Sequence, residues 1–487
     1  MGPVDTLRRL DRISALDAAF LALERDATPM HIGSIAYLEP GALRDKKGRI
    51  RLDELRALVG ERLTLAPRFR QLPRSAPFGL GRPVWVDDPD FDVADHVNEI
   101  VVPAPGTDDQ IAELCSHLMM KVLERSRPMW ELWVVDGAAD GSVVLIEKVH
   151  HVMMDGVSGI DIALLLTDPT PQVDRTERAP QPASAPPSAG TLLAAGLLDA
   201  VTVPLSLGRL GADVGLDLLR SAWDRSERVH LRSQALALGR GIGSLLRPST
   251  VAPRSPLNRP VGQHRRYAHV EVPLEAVRRV ARAAGATLND VALGAVAGGV
   301  RRLFLARDEG LGRRFQIAVP VSTRAAAEHA SLGNRLSVFL VPLPVGIADP
   351  VAQLAEVKRV TGRRKAVGQA TTVAGLVDAA DRLPLPIVEA VARLGHRQPF
   401  ANAVVTNVPG PPEERFMLGA RIRRIAPVVP LAANLDLSVG IVSYDQELSF
   451  GCFADAERCP DLRLLTEGIR TTVEALGRAF GIEGGAP

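Results

Sequence analysis

Gly141-Ser142-Val143-Val144-Leu145-Ile146-Glu147-Lys148-Val149-His150-His151-Val152-Met153-Met154-Asp155-Gly156 is the stretch from which the rest of the chain can be read. Val143 to Val149 is a short apolar run rich in β-branched residues, the length of a buried strand. Asp155-Gly156 ends it, and Val157 to Leu166 is apolar at helical spacing. Neighbouring strand residues point to opposite faces. His150 and His151 therefore cannot do the same work. One faces a cavity while the other packs or orients. An imidazole titrates near neutrality and can take a proton from an alcohol at working pH. Asp155 reads as a scaffold residue, a carboxylate that braces the loop through a partner elsewhere, and Gly156 permits a backbone path that a side chain would obstruct. On its own merits the pair reads equally well as two structural histidines. A metal is not expected, because adjacent ligands on a strand point apart and no third cluster supplies further ligands.

Outward from this stretch the chain falls into three segments. Residues 1–168 mix strands and helices. Residues 169–260 form a linker, Pro/Ala/Ser-rich at Ala179 to Ser188, then helical in pattern, and closed by a Pro- and Arg-rich loop from Arg247 to Pro260. Residues 261–487 mix strands and helices again. Here Leu274 to Ala284 predicts a helix ended by Gly285, and Thr287-Leu288-Asn289-Asp290 offers caps to a helix over Val291 to Ala306. Phe315 to Val321 and Leu336 to Leu343 predict strands. The fold class expected is α/β in two parts, which suits a length of 487 residues.

A formal net charge of +2 creates no field that would attract nucleic acid. The three cysteines, Cys115, Cys452 and Cys459, lack metal-ligand spacing and suit a reduced, cytoplasmic setting. Leu192 to Leu219 is the most apolar long stretch, but Asp199, Pro204, Arg209 and Asp213 interrupt it, so it does not read as a membrane span. It reads as a helix packed on its own protein or, less readily, as one lying on a membrane surface. Gly156-Val157-Ser158-Gly159-Ile160 is not a nucleophile elbow, which argues against serine hydrolysis.

Further stretches join the histidine motif in order along the chain. They are Ile13 to Glu24 with Thr28-Pro29-Met30-His31-Ile32-Gly33, Pro67-Arg68-Phe69-Arg70, Phe91 to Val97, and Arg127-Pro128-Met129-Trp130-Glu131-Leu132-Trp133. Later stand Pro256-Leu257-Asn258, Thr287 to Val291, Pro320-Val321-Ser322-Thr323-Arg324, Gly333 to Ser337 and Thr406-Asn407-Val408-Pro409-Gly410-Pro411. The ordered set resembles the bacterial wax ester synthase/diacylglycerol acyltransferase family. Met129 departs from the family pattern, which has Leu there. The histidine motif alone also marks condensation domains.

The resemblance implies two halves similar to chloramphenicol acetyltransferase, with a tunnel at their interface. It implies acyl transfer from a long-chain acyl-coenzyme A, as substrate and without a further cofactor, to diacylglycerol or a long-chain alcohol. His151 would be the general base in a direct transfer, with His150 orienting the loop. Asn289 would donate to the oxyanion, although capping of its helix explains it equally well. Glu24 would touch substrate or the tunnel wall. Asp290 and Arg324 match motif positions and would contact substrate, with a structural role for Asp290 still open. Basic clusters for coenzyme A are Arg301-Arg302, Arg313-Arg314, Arg363-Arg364-Lys365, and Arg421 with Arg423-Arg424. Peripheral attachment to a membrane or lipid inclusion would bring the protein to its acceptor. The rival expectations are an acyltransferase of the same fold with another alcohol or an amine as acceptor, and a silent protein that binds lipid inclusions.

Overall fold

The computed structural model describes residues 10–482 except 80, 155–158, 176–182, 199–250, 313, 323–335, 367–384, 395–397 and 432–433. The strand expected before the histidines is Val143–His150, and it lies inside a six-stranded sheet. In spatial order that first sheet holds β11 (Phe416–Met417), β12 (Ala420–Val428), β1 (His31–Leu38), β6 (Val143–His150), β5 (Trp130–Asp136) and β4 (Val97–Val101). A second six-stranded sheet holds β7 (Arg265–Pro273), β14 (Glu447–Asp455), β13 (Leu437–Tyr444), β10 (Ala403–Pro409), β8 (Phe315–Ser322) and β9 (Leu336–Leu343). A small hairpin, β2 (Gln71–Arg74) with β3 (Val84–Asp87), stands apart. The molecule is thus α/β with two sheet-containing halves.

Several sequence readings match closely. The helix over Leu274–Ala284 ends where Gly285 takes the left-handed conformation. The next helix runs from Leu288, not Val291, to Ala306. Thr287 is the N-cap and closes a capping box with Asp290, so the residues read as caps include the helix's first turn. Residues 416–428, far along the chain, cross back to complete the first sheet, with β12 antiparallel to β1.

Each sheet has its own apolar packing. Behind the second sheet, Val277, Val291, Val296, Val300, Ile469 and Leu476 form a core with the strands. One face of the first sheet packs Leu55, Leu58, Leu132 and Val149; the other packs Ile111, Met119, Ile146 and, from the second half, Tyr267 and Phe453. Among the described residues no single helix is long and apolar enough to cross a membrane. The bent pair Leu274–Ala284 and Leu288–Ala306 owes its apolar character to the core just described.

The sheets meet at Pro427 on β12. A Cβ added to Gly440 on β13 would lie 2.9 Å from Pro427 Cγ, and one added to Gly451 on β14 would lie 1.8 Å from the Pro427 carbonyl oxygen. Only glycine lets the second sheet come this close. Gly451→Ala is therefore expected to push the halves apart and to cost about 1–3 kcal/mol, the usual range for overpacking. A urea midpoint equal to that of wild type would show that the contact does not hold the halves together.

Candidate active site

β1 and β6 pair antiparallel with His31 opposite His150, Gly33 opposite Lys148 and Ser34 opposite Glu147. The ladder extends one step past the strand, where the His151 backbone N–H donates to the Met30 carbonyl at 2.8 Å. Alternation puts His31, Lys148 and His150 on one face of the sheet.

On that face lies a buried charge cluster. Nε2 of His31 and Nε2 of His150 each stand 3.3 Å from Glu24 Oε1. Neither contact meets full hydrogen-bond geometry, although both nitrogens face the carboxylate at close range. Arg125 reaches Glu24 Oε2 at 3.1 Å, and the Met30 N–H donates to Oε1 at 3.3 Å. Burial opposes the charge on Glu24, yet the two histidines outweigh it and hold the carboxyl well below its ordinary range. Lys148, fully buried, donates to the Lys121 carbonyl and to Glu131 at 3.2 Å. Burial pulls the Lys148 ammonium down and Glu131 supports its charge.

The hydrogen bonds assign the His150 tautomer. Its Nδ1 accepts from the Val152 N–H at 3.1 Å, so its proton sits on Nε2, toward Glu24. His150 is completely buried and ties together the turn that follows it.

His151 differs in each respect. It begins a short 3-10 turn, His151–Met154, and its ring stacks on Phe20, centroids 4.1 Å apart. Its Nδ1 is buried and meets no hydrogen-bond partner among the described residues. The residue as a whole keeps accessible surface. Burial, reinforced by His150, lowers its pKa to about 4, so the ring is neutral at physiological pH. Phe20 belongs to the helix Ala15–Leu23, against which the helix Leu385–Leu394 of the second half packs. His151 therefore sits beside the junction of the halves.

Other expected residues divide. Asn289 and Asn407 are joined, the Asn407 Nδ2 donating to Asn289 Oδ1 at 3.0 Å. That bond leaves the Asn289 amide N–H groups for another partner. Asp290, expected to contact substrate, has both carboxylate oxygens engaged by the protein. Its Oδ2 accepts from the Thr287 N–H at 2.9 Å, its Oδ1 accepts from the Thr361 hydroxyl at 2.7 Å, and the residue is buried. Glu24 likewise has its carboxylate buried and engaged by the histidines and Arg125. Asp155, Gly156 and Arg324 lie outside the described residues.

Two of the four basic clusters are engaged by partners within the protein, and Arg313 of a third lies outside the described residues. Arg301 donates to the carbonyls of Val345 and Gly346, and Arg302 pairs with Glu467 at 2.7 Å. Arg421 pairs with Glu414, Arg423 with Asp140 and Arg424 with Asp108. Arg363 is exposed, on the rim of a surface depression of about 770 Å3 with an apolar floor that includes Leu354 and Phe480. Among the described residues no group of three or more His, Cys, Asp and Glu side chains could hold a metal ion.

Residues 13–292 match the model of the wax ester synthase/diacylglycerol acyltransferase catalytic domain, and residues 332–477 match that of the family's C-terminal domain. A probable diacylglycerol O-acyltransferase of Mycobacterium tuberculosis is 34% identical over 479 residues, covering 96% of each chain. This chain belongs to the wax ester synthase/diacylglycerol acyltransferase family. It is an acyltransferase. The solved wax ester synthase/diacylglycerol acyltransferase from Marinobacter aquaeolei VT8 shares the fold, with a TM-score of 0.65 at 23% identity over 96% of this chain and 100% of that one. The first condensation domain of the calcium-dependent antibiotic synthetase shares it more distantly, with a TM-score of 0.54 at 16% identity, covering 96% of each chain.

Family membership also gives meaning to motifs whose residues do no chemistry here. Trp130 donates from its indole N–H to the Phe69 carbonyl at 2.8 Å and stacks on His96, centroids 4.5 Å apart. Three family stretches thus converge on one packing point. Asn258 donates to the carbonyls of Ala401 and Asn434 and accepts from Asn402, fastening a loop to the second sheet. Sequence reasoning misses His31, Arg125 and Lys148 as members of the site. Only the Lys-x-His-His spacing, which puts Lys148 and His150 on one strand face, could have pointed to Lys148.

Proposed function

We propose that this acyltransferase moves an acyl group from a long-chain acyl-coenzyme A directly to the hydroxyl of diacylglycerol or of a long-chain alcohol, with His151 as general base. The supporting observation is the contrast between the two rings: His150 is locked by Val152 and Glu24, whereas His151 is neutral and has a ring nitrogen without a partner among the described residues. The neutral imidazole takes the hydroxyl proton as the oxygen attacks the thioester carbonyl, then passes it to the departing thiolate. The tetrahedral oxyanion needs a donor, and the free amide of Asn289, with its oxygen held by Asn407, supplies one. The two substrates reach His151 through a passage between the halves. No cofactor enters this scheme. The protein works in the cytoplasm, peripheral to a membrane or lipid inclusion that holds its acceptor.

The test is purified full-length enzyme with labelled palmitoyl-coenzyme A and a panel of dioleoylglycerol, hexadecanol and a long-chain amine. Labelled ester from at least one alcohol is expected. Thiol release to water alone, with no ester, would overturn the assignment.

A further inference from the structure

Glu147 is a carboxyl group that the mechanism above does not use. It lies on the face of β6 opposite to Lys148 and His150, beside Val149 and directly across from Ser34. The Ser34 hydroxyl donates to Glu147 Oε2 at 3.1 Å. Ser34 is paired on its other side with Pro427, the residue that touches Gly440 of the second sheet. Gly440 is in register with Thr406 on β10. This face of the first sheet therefore looks toward the face of β10 that carries Val404 and Thr406.

Side chains in this region keep accessible surface where two packed sheets would bury them. Ile32, Ser34, Glu147 and Ile425 do so on the first sheet, and Val404 and Thr406 on the second, while Ala403 and Val405, their neighbours on β10, are core. Apolar Ile32, Ile425 and Val404 share this wall with the hydroxyls of Ser34 and Thr406, and Glu147 is its acid. Burial pushes the Glu147 carboxyl up to about 7, with the Ser34 hydrogen bond pulling the other way, so a large share of it is protonated at neutral pH. Ser34 occupies one oxygen as donor. In the protonated form the other oxygen is the one left to donate.

We propose that Glu147, steadied by Ser34, is the polar anchor for the glyceride part of the acceptor, its carboxyl O–H donating to an ester carbonyl of diacylglycerol. The inference rests on the transfer reaction proposed above and assigns a specificity-determining residue to it. A long-chain alcohol carries no oxygen beyond its reacting hydroxyl. A diacylglycerol carries two ester carbonyls that accept hydrogen bonds but donate none, which a protonated carboxyl matches and a carboxylate does not.

The experiment compares dioleoylglycerol, a dialkylglycerol with ether links in place of both esters, and hexadecanol. Full-length wild type, Glu147→Leu and Glu147→Gln are each assayed with palmitoyl-coenzyme A. In wild type, kcat/KM for the diether is expected to be about tenfold below that for the diester, the worth of one hydrogen bond. Glu147→Leu should lose about tenfold on dioleoylglycerol, change hexadecanol turnover by less than about twofold, and close the diester–diether gap. Glu147→Gln, still a neutral donor, should keep most of the diester rate. Equal losses on dioleoylglycerol and hexadecanol, or no diester–diether gap in wild type, would overturn the anchor; the second result needs no variant to fold. Wild type that makes ester from hexadecanol but not from dioleoylglycerol also overturns it. Wild type that esterifies none of the acceptors removes the transfer reading itself, a failure distinct from the others.

Discussion

His151→Ala is expected to lower kcat by about 10²–10⁴-fold, the usual worth of a positioned general base, while the purified protein keeps its melting temperature within a few degrees. The ring contributes one stacking contact with Phe20 and no side-chain hydrogen bond from Nδ1 among the described residues. Its loss should therefore tell on the reaction far more than on the fold. KM for palmitoyl-coenzyme A should change little, because the base acts on the acceptor hydroxyl. His150→Ala should behave differently. That ring holds the Val152 N–H and faces Glu24, so its removal should lower stability along with rate. A folded His151→Ala enzyme running near the wild-type rate would sink the assignment.

The same ring sets the pH dependence. Burial and His150 hold its pKa at about 4, below the ordinary value of 6.5, which means the folded protein favours the neutral form. A base is active when unprotonated, so activity should persist as pH falls through 6 and 5 and be half lost only near pH 4. With an unshifted histidine most of the activity would already be gone at pH 6. Hexadecanol is the acceptor of choice for this profile, since it makes no demand on Glu147. An apparent pKa near 6.5 for kcat/KM would show that His151 is more open to water than its burial implies.

Much of this was legible in the sequence because strand periodicity and helix caps are local. Val143–His150 announced itself by its β-branched run, and the Leu274–Ala284 helix by the glycine that ends it. That His150 and His151 meet different surroundings followed from alternation alone. What could not be read is what depends on distant segments. β12 joins β1 in the first sheet from far along the chain, and its three arginines, which suggested a phosphate site, are instead paired with Glu414, Asp140 and Asp108. Asp290 matched a motif that suggested chemistry, but Thr287 and Thr361 take both its oxygens. Glu147 stands inside the deciding stretch, yet nothing local marks it out. Its meaning comes from Ser34 across the ladder and from Pro427 beyond, which no local pattern connects.

Glu24 is engaged by protein side chains rather than open to solvent, and its substitution is the second large effect expected. The family motif placed it near the reaction, but as a contact for substrate. The structure puts its carboxylate under the two histidines His31 and His150, with Arg125 on its outer oxygen and Lys148 contributing to the same field. Glu24→Ala would leave the buried Nε2 atoms of His31 and His150 without the carboxylate they face, and Arg125 without its partner. Leaving a buried polar group without its partner typically costs about 1–3 kcal/mol. The turn from His150 to Met154 is anchored through His150, so His151 should shift as well, and a displacement of about 1 Å can cost about 10²-fold in rate. Glu24→Gln separates the two effects. It preserves volume and an acceptor for the Met30 N–H while deleting the charge that supports a proton on His31, so the protein should fold yet show His31 titrating lower than in wild type by NMR. A residue that merely touched substrate would give the opposite pattern, a raised KM with an unchanged unfolding midpoint. That result would return Glu24 to the substrate surface and leave His150 without the charge that aligns it.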